Sequence, residues 1–156
     1  MIFRGQKIWV MIFISATRLR VRSIFYFFNF YRANESAVKE LRKTTGFRGG
    51  KELMDKGLVF WTLTMWQDEV SMRSFRNSAP HRRAMQKLPT WCSEAAYVHW
   101  IEEAEQLPDW GTVHAKMVAD GKLTKVKQPS PQQPAKSYPP LNWRKFERIF
   151  KTGPLS

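Results

Sequence analysis

The amino-acid sequence predicts an α+β domain followed by a proline-rich C-terminal extension. Its 156 residues are 43% hydrophobic, which is enough chain for one domain with a core of its own. Segments rich in β-branched and aromatic residues alternate with segments of helical spacing, and this alternation indicates strands and helices in turn. Five prolines within residues 128–140 mark the place where the regular pattern stops. An aromatic content of 14% excludes a wholly disordered chain.

The first two predicted elements are a strand and a helix. Ile8–Arg22 contains no Gly or Pro and is rich in β-branched and aromatic residues, so it predicts a strand. Ser23–Thr45 keeps its apolar residues largely at helical spacing and predicts a helix. The aromatic cluster Ile24–Tyr31 by itself fits either a strand or a helix, because nearly every position in it is apolar. The helix prediction therefore depends on the residues from Asn34 onward.

Two further strands follow the first helix. Gly46–Gly50 ends the helix and opens a new segment. Lys51–Met54 and Leu58–Trp66 are predicted as strands joined by a tight turn at residues 55–57. Because side chains alternate along a strand, the second of these has two distinct faces. One face carries Val59, Trp61, Leu63 and Met65, and the other carries Phe60, Thr62, Thr64 and Trp66.

A second helical region and a last strand complete the domain. Asp68 suits the N-cap of a helix, and Pro80 suits the first turn of a helix that restarts after a break. Ala95–Ile101 alternates in polarity and predicts the final strand. The resulting order, β-α-β-β-α-β, is ferredoxin-like: one antiparallel sheet is covered on one face by two helices. The apolar stripe of the restarted helix is His81, Ala84, Met85 and Leu88.

The chain beyond the domain has a different character. We expect a ferredoxin-like domain at 8–104, a short helical extension at 105–127, and a proline-rich linker with a basic helix at 128–156. Within the extension, Trp110–Ala119 predicts a short helix. Residues 128–140 predict a linker without a core of its own. Leu141–Lys151 spaces its aromatic residues, which are Trp143, Phe146 and Phe150, as a basic amphipathic helix would.

The net charge of +13 lies at the two ends of the chain. Residues 1–34 hold six basic residues and no acid, and residues 121–156 hold eight basic residues and one acid. The stretch between them holds twelve of each and is neutral. The basic ends can remain solvated, attach residues 141–151 to an anionic membrane surface, or dock on a protein. Nucleic acid is not an expected partner, because no recognition motif accompanies the charge.

Targeting and redox features are sparse. Arg4 and Lys7 precede the apolar run Ile8–Ile14, and this arrangement resembles a signal peptide. Further arginines follow the run closely, so a buried strand is the preferred interpretation. No apolar run approaches the ~20 residues that span a bilayer. The single cysteine, Cys92, excludes an intrachain disulfide and is expected to be a buried, inert thiol. We expect a cytoplasmic protein, with the membrane surface as the alternative.

Six short segments of the domain form a characteristic set: Gly46–Gly50, Phe60–Trp66, Asp68-Glu69, Met72–Arg76, His81–Met85 and Val98–Trp100. Together they resemble the antibiotic biosynthesis monooxygenase-like proteins of the dimeric α+β barrel superfamily. The resemblance is greatest to an uncharacterised branch of small bacterial proteins. It covers roughly residues 8–104 and leaves the extension outside.

This resemblance implies an architecture and a range of chemistries. Two ferredoxin-like protomers would place their sheets face to face as a homodimer, with a pocket between each sheet and its own helices. Proteins similar to this one include cofactor-free oxygenases of aromatic polyketides, haem-degrading enzymes and haem-dependent dehydratases. The polar residues of the quinone-forming oxygenases have no counterparts that can be placed on this sequence. Function must therefore be argued from the site itself.

His81 and Glu94 are the candidate catalytic residues. His81 lies on an apolar helix stripe that faces the sheet, and it can act as an acid or base or be a hydrogen-bonded core histidine. By resemblance to haem-binding relatives it is also the candidate axial ligand, should haem be the cofactor. Glu94 can serve as a base if it is buried, or it can form an ion pair with a helix arginine. His99 can face the pocket or a dimer interface, and the interface is the preferred interpretation.

Two functions follow from these residues. The first is a small oxygenase-like enzyme that acts on an apolar aromatic or isoprenoid-type substrate. The second is a non-catalytic module that binds a hydrophobic ligand or haem and is tethered by its basic ends. No metal site is expected, because the three histidines lack the spacing of metal ligands. The predicted substrate-binding walls are Phe27, Trp61, Phe75, Met85 and Trp100.

Overall fold

A computed structural model describes residues 10–103, 106–141 and 146–151. These residues form one six-stranded sheet in the order β5-β4-β1-β3-β2-β6, with every neighbouring pair antiparallel. Its four central strands have the ferredoxin-like arrangement that the sequence predicts. The strands are β1 (Met11–Val21), β2 (Phe47–Asp55), β3 (Val59–Trp66), β4 (Cys92–Glu103), β5 (Lys122–Leu123) and β6 (Arg148–Phe150).

Five helices accompany the sheet within the described residues. They are α1 (Ile24–Lys43), α2 (Glu69–Arg76), α3 (Ala79–Trp91), α4 (Trp110–Asp120) and α5 (Gln132–Ala135). Helices α1, α2 and α3 lie on one face of the sheet, while α4 packs on the other face. We call these the cavity face and the extension face. No helix of the described residues has the length and apolar character needed to cross a membrane.

Helix α1 begins earlier than the sequence alone could establish. The hydroxyl of Ser23 accepts a hydrogen bond from the backbone N–H of Phe25 and caps the helix at Ile24. The ambiguous aromatic cluster is therefore helical. Its Phe30 is buried, and the ring of Phe30 lies 4.8 Å from that of Phe60 on β3. Contact with the sheet thus fixes the rotation of the helix about its axis.

The local signals for the second helical region are confirmed. Asp68 accepts a hydrogen bond from the backbone N–H of Ser71 at 2.8 Å and caps α2. Pro80 lies in the first turn of α3, where its missing N–H costs no helical hydrogen bond. The turn after α1 contains Gly46 with φ of +89°, a left-handed conformation that glycine adopts without strain. A Cβ atom there would lie 2.2 Å from the hydroxyl oxygen of Ser71.

The extension face is covered by the C-terminal part of this same chain. Strands β1, β3 and β4 direct apolar side chains such as Ile14, Leu63 and Val98 to this face. The resemblance assigns such a face to a second protomer. Here it is buried beneath residues of α4 and of the segment after it, which are Trp110, Val113, Met117 and Tyr138.

The segment predicted as a linker packs against the sheet. The side-chain amide of Gln133 donates to the carbonyl oxygen of Ala95 at 3.1 Å, and its oxygen accepts from the Ala95 N–H at 3.0 Å. Gln133 and Tyr138 are both buried. Tyr138 stacks near the guanidinium of Arg18, with 5.3 Å between the guanidinium carbon and the ring centroid. The proline-rich composition predicted a linker without a core of its own and could not reveal the short helix α5 or these side-chain contacts.

The prediction of an amphipathic helix at 141–151 is wrong where the structure describes it. Residues 148–150 form β6, which pairs with Gly50–Glu52 of β2. Phe150 is 1% exposed and belongs to the core on the cavity face, so it is not available to a membrane. Arg148 forms ion pairs with Glu35 and Glu52, the latter at 2.6 Å. Residues 142–145, including Trp143, lie outside the described residues.

Candidate functional site

A cavity of about 480 Å³ lies between the cavity face and helices α1, α2 and α3. Its size is typical of sites for small organic ligands. The floor carries hydroxyl groups because alternate residues of β1 and β3 point to this face: Ser15, Thr17, Thr62 and Thr64. The helices contribute mainly apolar walls, including Phe30, Val38, Met72, Ala84 and Leu88.

His81 lines this cavity, as the sequence predicts. Its Nδ1 lies 3.1 Å from the carbonyl oxygen of Arg76, and its ring lies 4.9 Å from that of Phe75. Burial lowers the pKa of His81 more than the Arg76 carbonyl raises it, and the nearby Arg76 charge lowers it further. The imidazole is therefore neutral at pH 7. With Nδ1 donating to the carbonyl, Nε2 is the nitrogen that can accept a proton.

His99 is a second histidine of the cavity. It lies on β4, and its ring contacts those of Phe13 and Tyr97 at 5.3 and 5.2 Å. Burial is the main cause of the lowered pKa of His99, and the Arg76 charge contributes. The preferred interpretation as an interface histidine is not supported, because the side chain faces the helices. The sequence signal for this placement was the alternation of Tyr97 and His99 with the apolar Val98, which puts the two rings on the face opposite Val98.

Arg76 adds a charged group to the site. Its side chain is exposed at the end of α2 and also lines the cavity, as do the polar residues Asn34, Tyr97 and Thr124. Beneath the floor, the buried Trp66 donates from Nε1 to Thr64 Oγ1 at 2.8 Å and holds the threonine in place. A bound ligand would thus meet a neutral base, several hydroxyls and one cation within a largely apolar enclosure.

Only two of the five predicted wall residues line this cavity. Phe75 and Met85 do so. Trp61 is fully buried on the extension face, because it alternates with the cavity-facing Thr62. Trp100 lies on the same extension face, where its Nε1 donates to Glu102 at 3.1 Å. Phe27 packs on Phe60 at 6.0 Å outside the lining of the cavity. The two faces of β3 were identified correctly, but Trp61 and Trp100 were assigned to the cavity face and lie on the extension face.

Glu94 does not line the cavity. Its carboxylate lies on the extension face and contacts Arg18 at 2.6 Å, Ser130 Oγ at 2.7 Å and Arg20 at 3.4 Å. Burial raises the pKa of Glu94, but the hydrogen bonds from Ser130 and Arg18 and the two arginine charges lower it further than burial raises it. Glu94 is thus an ionised member of a buried ion pair, as the alternative interpretation expected, but its arginine partners lie on strand β1 and not on a helix.

The remaining candidate groups are accounted for in the described part of the chain. Cys92 is fully buried, and burial raises the pKa of its thiol to about 12, which makes it unreactive at neutral pH. Among the residues that the structure describes, no three His, Cys, Asp or Glu side chains come together as metal ligands do. His81 and His99 are the two histidines among the described residues that line the cavity and could hold a haem iron.

Comparison with known proteins supports the fold. The sequence matches no family model and no curated protein. A conserved protein of Methanosarcina mazei Go1 superposes with a TM-score of 0.53 and 15% identity, covering 58% of this chain and 92% of its own. A candidate antibiotic biosynthesis monooxygenase of Nitrosomonas europaea gives 0.52 and 10%, covering 60% and 90%.

A third structure extends the same relationship. Rv0793 of Mycobacterium tuberculosis superposes with a TM-score of 0.55 and 10% identity, covering 60% of this chain and 97% of its own. The chain therefore has the ferredoxin-like fold of the antibiotic biosynthesis monooxygenase-like proteins.

Proposed function

We propose that this protein is a small oxygenase-like enzyme that acts on a flat, largely apolar substrate in the cavity. The observation that supports the proposal best is the pairing of a neutral, held histidine, His81, with apolar walls and hydroxyl groups in one enclosure. The name of the Nitrosomonas europaea protein, which shares the fold, points to the same chemistry. An aromatic substrate matches the aromatic and aliphatic lining better than a strongly charged one does.

The proposed step begins with a proton transfer to His81, which would take the role of the polar residues of the quinone-forming oxygenases, because those residues cannot be placed on this sequence. Nε2 accepts a proton from an activated CH₂ group of the substrate, while the Arg76 carbonyl holds the ring in orientation. The carbanion that results gives up electrons to O₂. One O₂ converts the CH₂ group into a carbonyl and one water, so that atoms and electrons balance without a bound cofactor. Arg76 offsets the negative charge that develops.

A haem-binding role is the second candidate, and one contact favours it. A histidine that binds a metal usually donates its other N–H to a backbone carbonyl, as His81 does to Arg76. His81 would hold the iron through Nε2, and the Arg76 side chain could pair with a propionate. Haem would supply the activation of oxygen. An absorption spectrum of the protein titrated with haemin distinguishes this candidate, because axial ligation produces a Soret band that His81→Ala should abolish.

The enzyme proposal is tested with a soluble hydroxylated anthrone as the probe. We expect the wild-type protein to consume O₂ in the presence of the anthrone and to release the corresponding quinone. His81→Ala should reduce this rate by about a hundredfold, the usual contribution of a general base, and leave the melting temperature nearly unchanged. Arg83→Ala, an exposed position on the same helix, is the matched control. Full activity in His81→Ala, or no turnover of any anthrone, would overturn the proposal.

A further inference from the structure

The first two turns of α1 present large apolar side chains to solvent. Ile24, Phe25, Phe28 and Tyr31 are 73%, 87%, 64% and 49% exposed. Their spacing of i, i+1, i+4 and i+7 places them on one side of the helix, and we call them the aromatic stripe. Rotation of the helix cannot bury them, because Phe30 is already fixed against the sheet.

The composition of this part of α1 is unusual for a solvated helix. Residues 24–31 contain no charged side chain, and the first turn carries no acidic residue. An exposed helix usually places acids in its first turn, where the helix dipole favours them. Contiguous exposed apolar side chains on a small protein usually mark a surface that contacts another apolar phase.

Cations flank the aromatic stripe. The guanidinium of Arg22 lies 4.7 Å from the ring centroid of Tyr26, and that of Arg32 lies 5.8 Å from the ring centroid of Phe28. Helix α3 packs beside α1 on the same face of the sheet. Its exposed cations are Arg82, Arg83 and Lys87, and α3 contains no acidic residue. The outer surface of the helix layer therefore combines exposed aromatic rings with an excess of positive charge.

We propose that the aromatic stripe docks on an anionic lipid bilayer. The rings would enter the interface between headgroups and acyl chains, while the guanidinium group of Arg32 would meet phosphate oxygens. Arg22 already donates to Tyr26, Gln128 and the carbonyl oxygen of Thr90 and would keep these partners. Charge complementarity favours a lipid surface, because Arg32 shares the outer surface of the helix layer with the exposed cations of α3, and residues 1–34 contain no acid. This surface lies on α1, not on the C-terminal segment that the sequence suggested. The inference does not depend on catalysis in the cavity.

Vesicle flotation of the full chain tests the proposal. The vesicles contain phosphatidylcholine alone or with a quarter of phosphatidylglycerol. We expect binding to the anionic vesicles that weakens with salt, and a loss of about tenfold in Phe25→Ser/Phe28→Ser, since both exposed rings would become buried in the bilayer interface. Val118→Ser is the matched control, because Val118 is 56% exposed on the opposite side of the sheet. Equal binding by the double variant and the wild type would overturn the proposal, as would absence of binding.

A fluorescent label provides a second, direct measurement. Cys92 is fully buried, so a cysteine introduced by Phe25→Cys or Val118→Cys can be labelled selectively with a polarity-sensitive dye. Anionic vesicles should shift the emission of the label at position 25 to the blue and leave that at position 118 unchanged. Equal shifts at both positions would contradict docking through α1. A dimer that the Phe25→Ser/Phe28→Ser variant loses, with no vesicle binding, would assign the stripe to a second copy instead.

Discussion

Arg18 and Glu94 form a buried ion pair on the extension face, with 2.6 Å between Nη1 and Oε2 and side chains 6% and 3% exposed. The pair joins the neighbouring strands β1 and β4. Ser130 of the C-terminal segment donates to the same carboxylate, so one acidic group ties the extension to the sheet. Such a pair is costly to break, because removal of one partner leaves the other charged and buried.

Replacement of Glu94 should destabilise the protein strongly. We expect Glu94→Gln to lower the free energy of unfolding by about 3 kcal/mol, since Arg18 then remains charged in a buried site. Urea denaturation measures the change. Glu69→Gln is the control, because its ion pair with Arg73 is half-exposed and its loss should cost about 0.5 kcal/mol or less. Similar costs for both variants would show that the buried pair contributes no more than a surface pair.

The Arg18–Glu94 pair also predicts that the stability of the protein depends on pH in the acidic range. The pKa of Glu94 in the folded protein lies below its ordinary value of 4.5. Its contribution to stability is therefore complete above pH 4.5 and is lost as the pH falls through the lower, folded pKa. Melting temperatures measured from pH 6 down to 3 should fall more steeply for the wild type than for Glu94→Gln. Parallel curves would contradict this assignment.

The lowered pKa of His81 predicts the pH dependence of the proposed reaction. A histidine that must be neutral to accept a proton is inactivated when it is protonated. Burial lowers the pKa of His81 below its ordinary value of 6.5, so protonation requires a lower pH. We expect kcat/KM for an anthrone probe to be constant near pH 7 and to fall with a midpoint below pH 6.5. A midpoint above that value, or an acid limb that persists in His81→Ala, would exclude His81 as the base.

Filling the cavity should prevent ligand binding without unfolding the protein. Ala84 of α3 lines the cavity, so Ala84→Phe places a ring in the space a ligand would occupy. We expect affinity for an apolar aromatic probe to fall by about tenfold or more, as a buried apolar contact is replaced by a clash, while the melting temperature changes little. Fluorescence titration measures the affinity. Ala119→Phe, at an exposed position of α4, should bind the probe as the wild type does.

Contacts of α4 should matter for stability. Met117 is fully buried against the sheet, whereas its neighbour Val118 is exposed. Met117→Ala is expected to lower the free energy of unfolding by about 3 kcal/mol, the usual cost of a cavity in a core. Val118→Ala should change it by less than about 0.5 kcal/mol, as exposed substitutions do. Equal effects of the two substitutions in urea denaturation would indicate that α4 does not pack as described.

The domain was predictable because its signals are local and agree with one another. Asp68 marks a helix start because its side chain accepts a hydrogen bond from a backbone N–H of the first turn. Pro80 marks another because it has no N–H to donate. Along β3, successive side chains point alternately to the two faces of the sheet. The extension was harder to predict. Gln133 and Tyr138 contact residues about forty and more than a hundred positions away, so no local pattern shows their burial. The strand at Arg148–Phe150 depends on the free edge of β2, which composition does not show.

The site was predictable only in part, for a related reason. His81 was found because a polar residue interrupts an apolar helix stripe. Trp61 and Thr62 were assigned to opposite faces correctly, yet both faces of β3 are well buried, and the pattern cannot tell which one borders a cavity. The large tryptophan fills a core, and the small threonine leaves room for a ligand. Side-chain volume was therefore the missed signal.

The amide of Gln133 occupies the donor and acceptor of Ala95 that another polypeptide would use to lengthen the sheet. A side chain thus completes a pattern that normally needs a whole strand. Exposed sheet edges are where folded proteins join into fibres, and at this point the edge is already occupied. The backbone of Ala95 is therefore closed to pairing with another polypeptide.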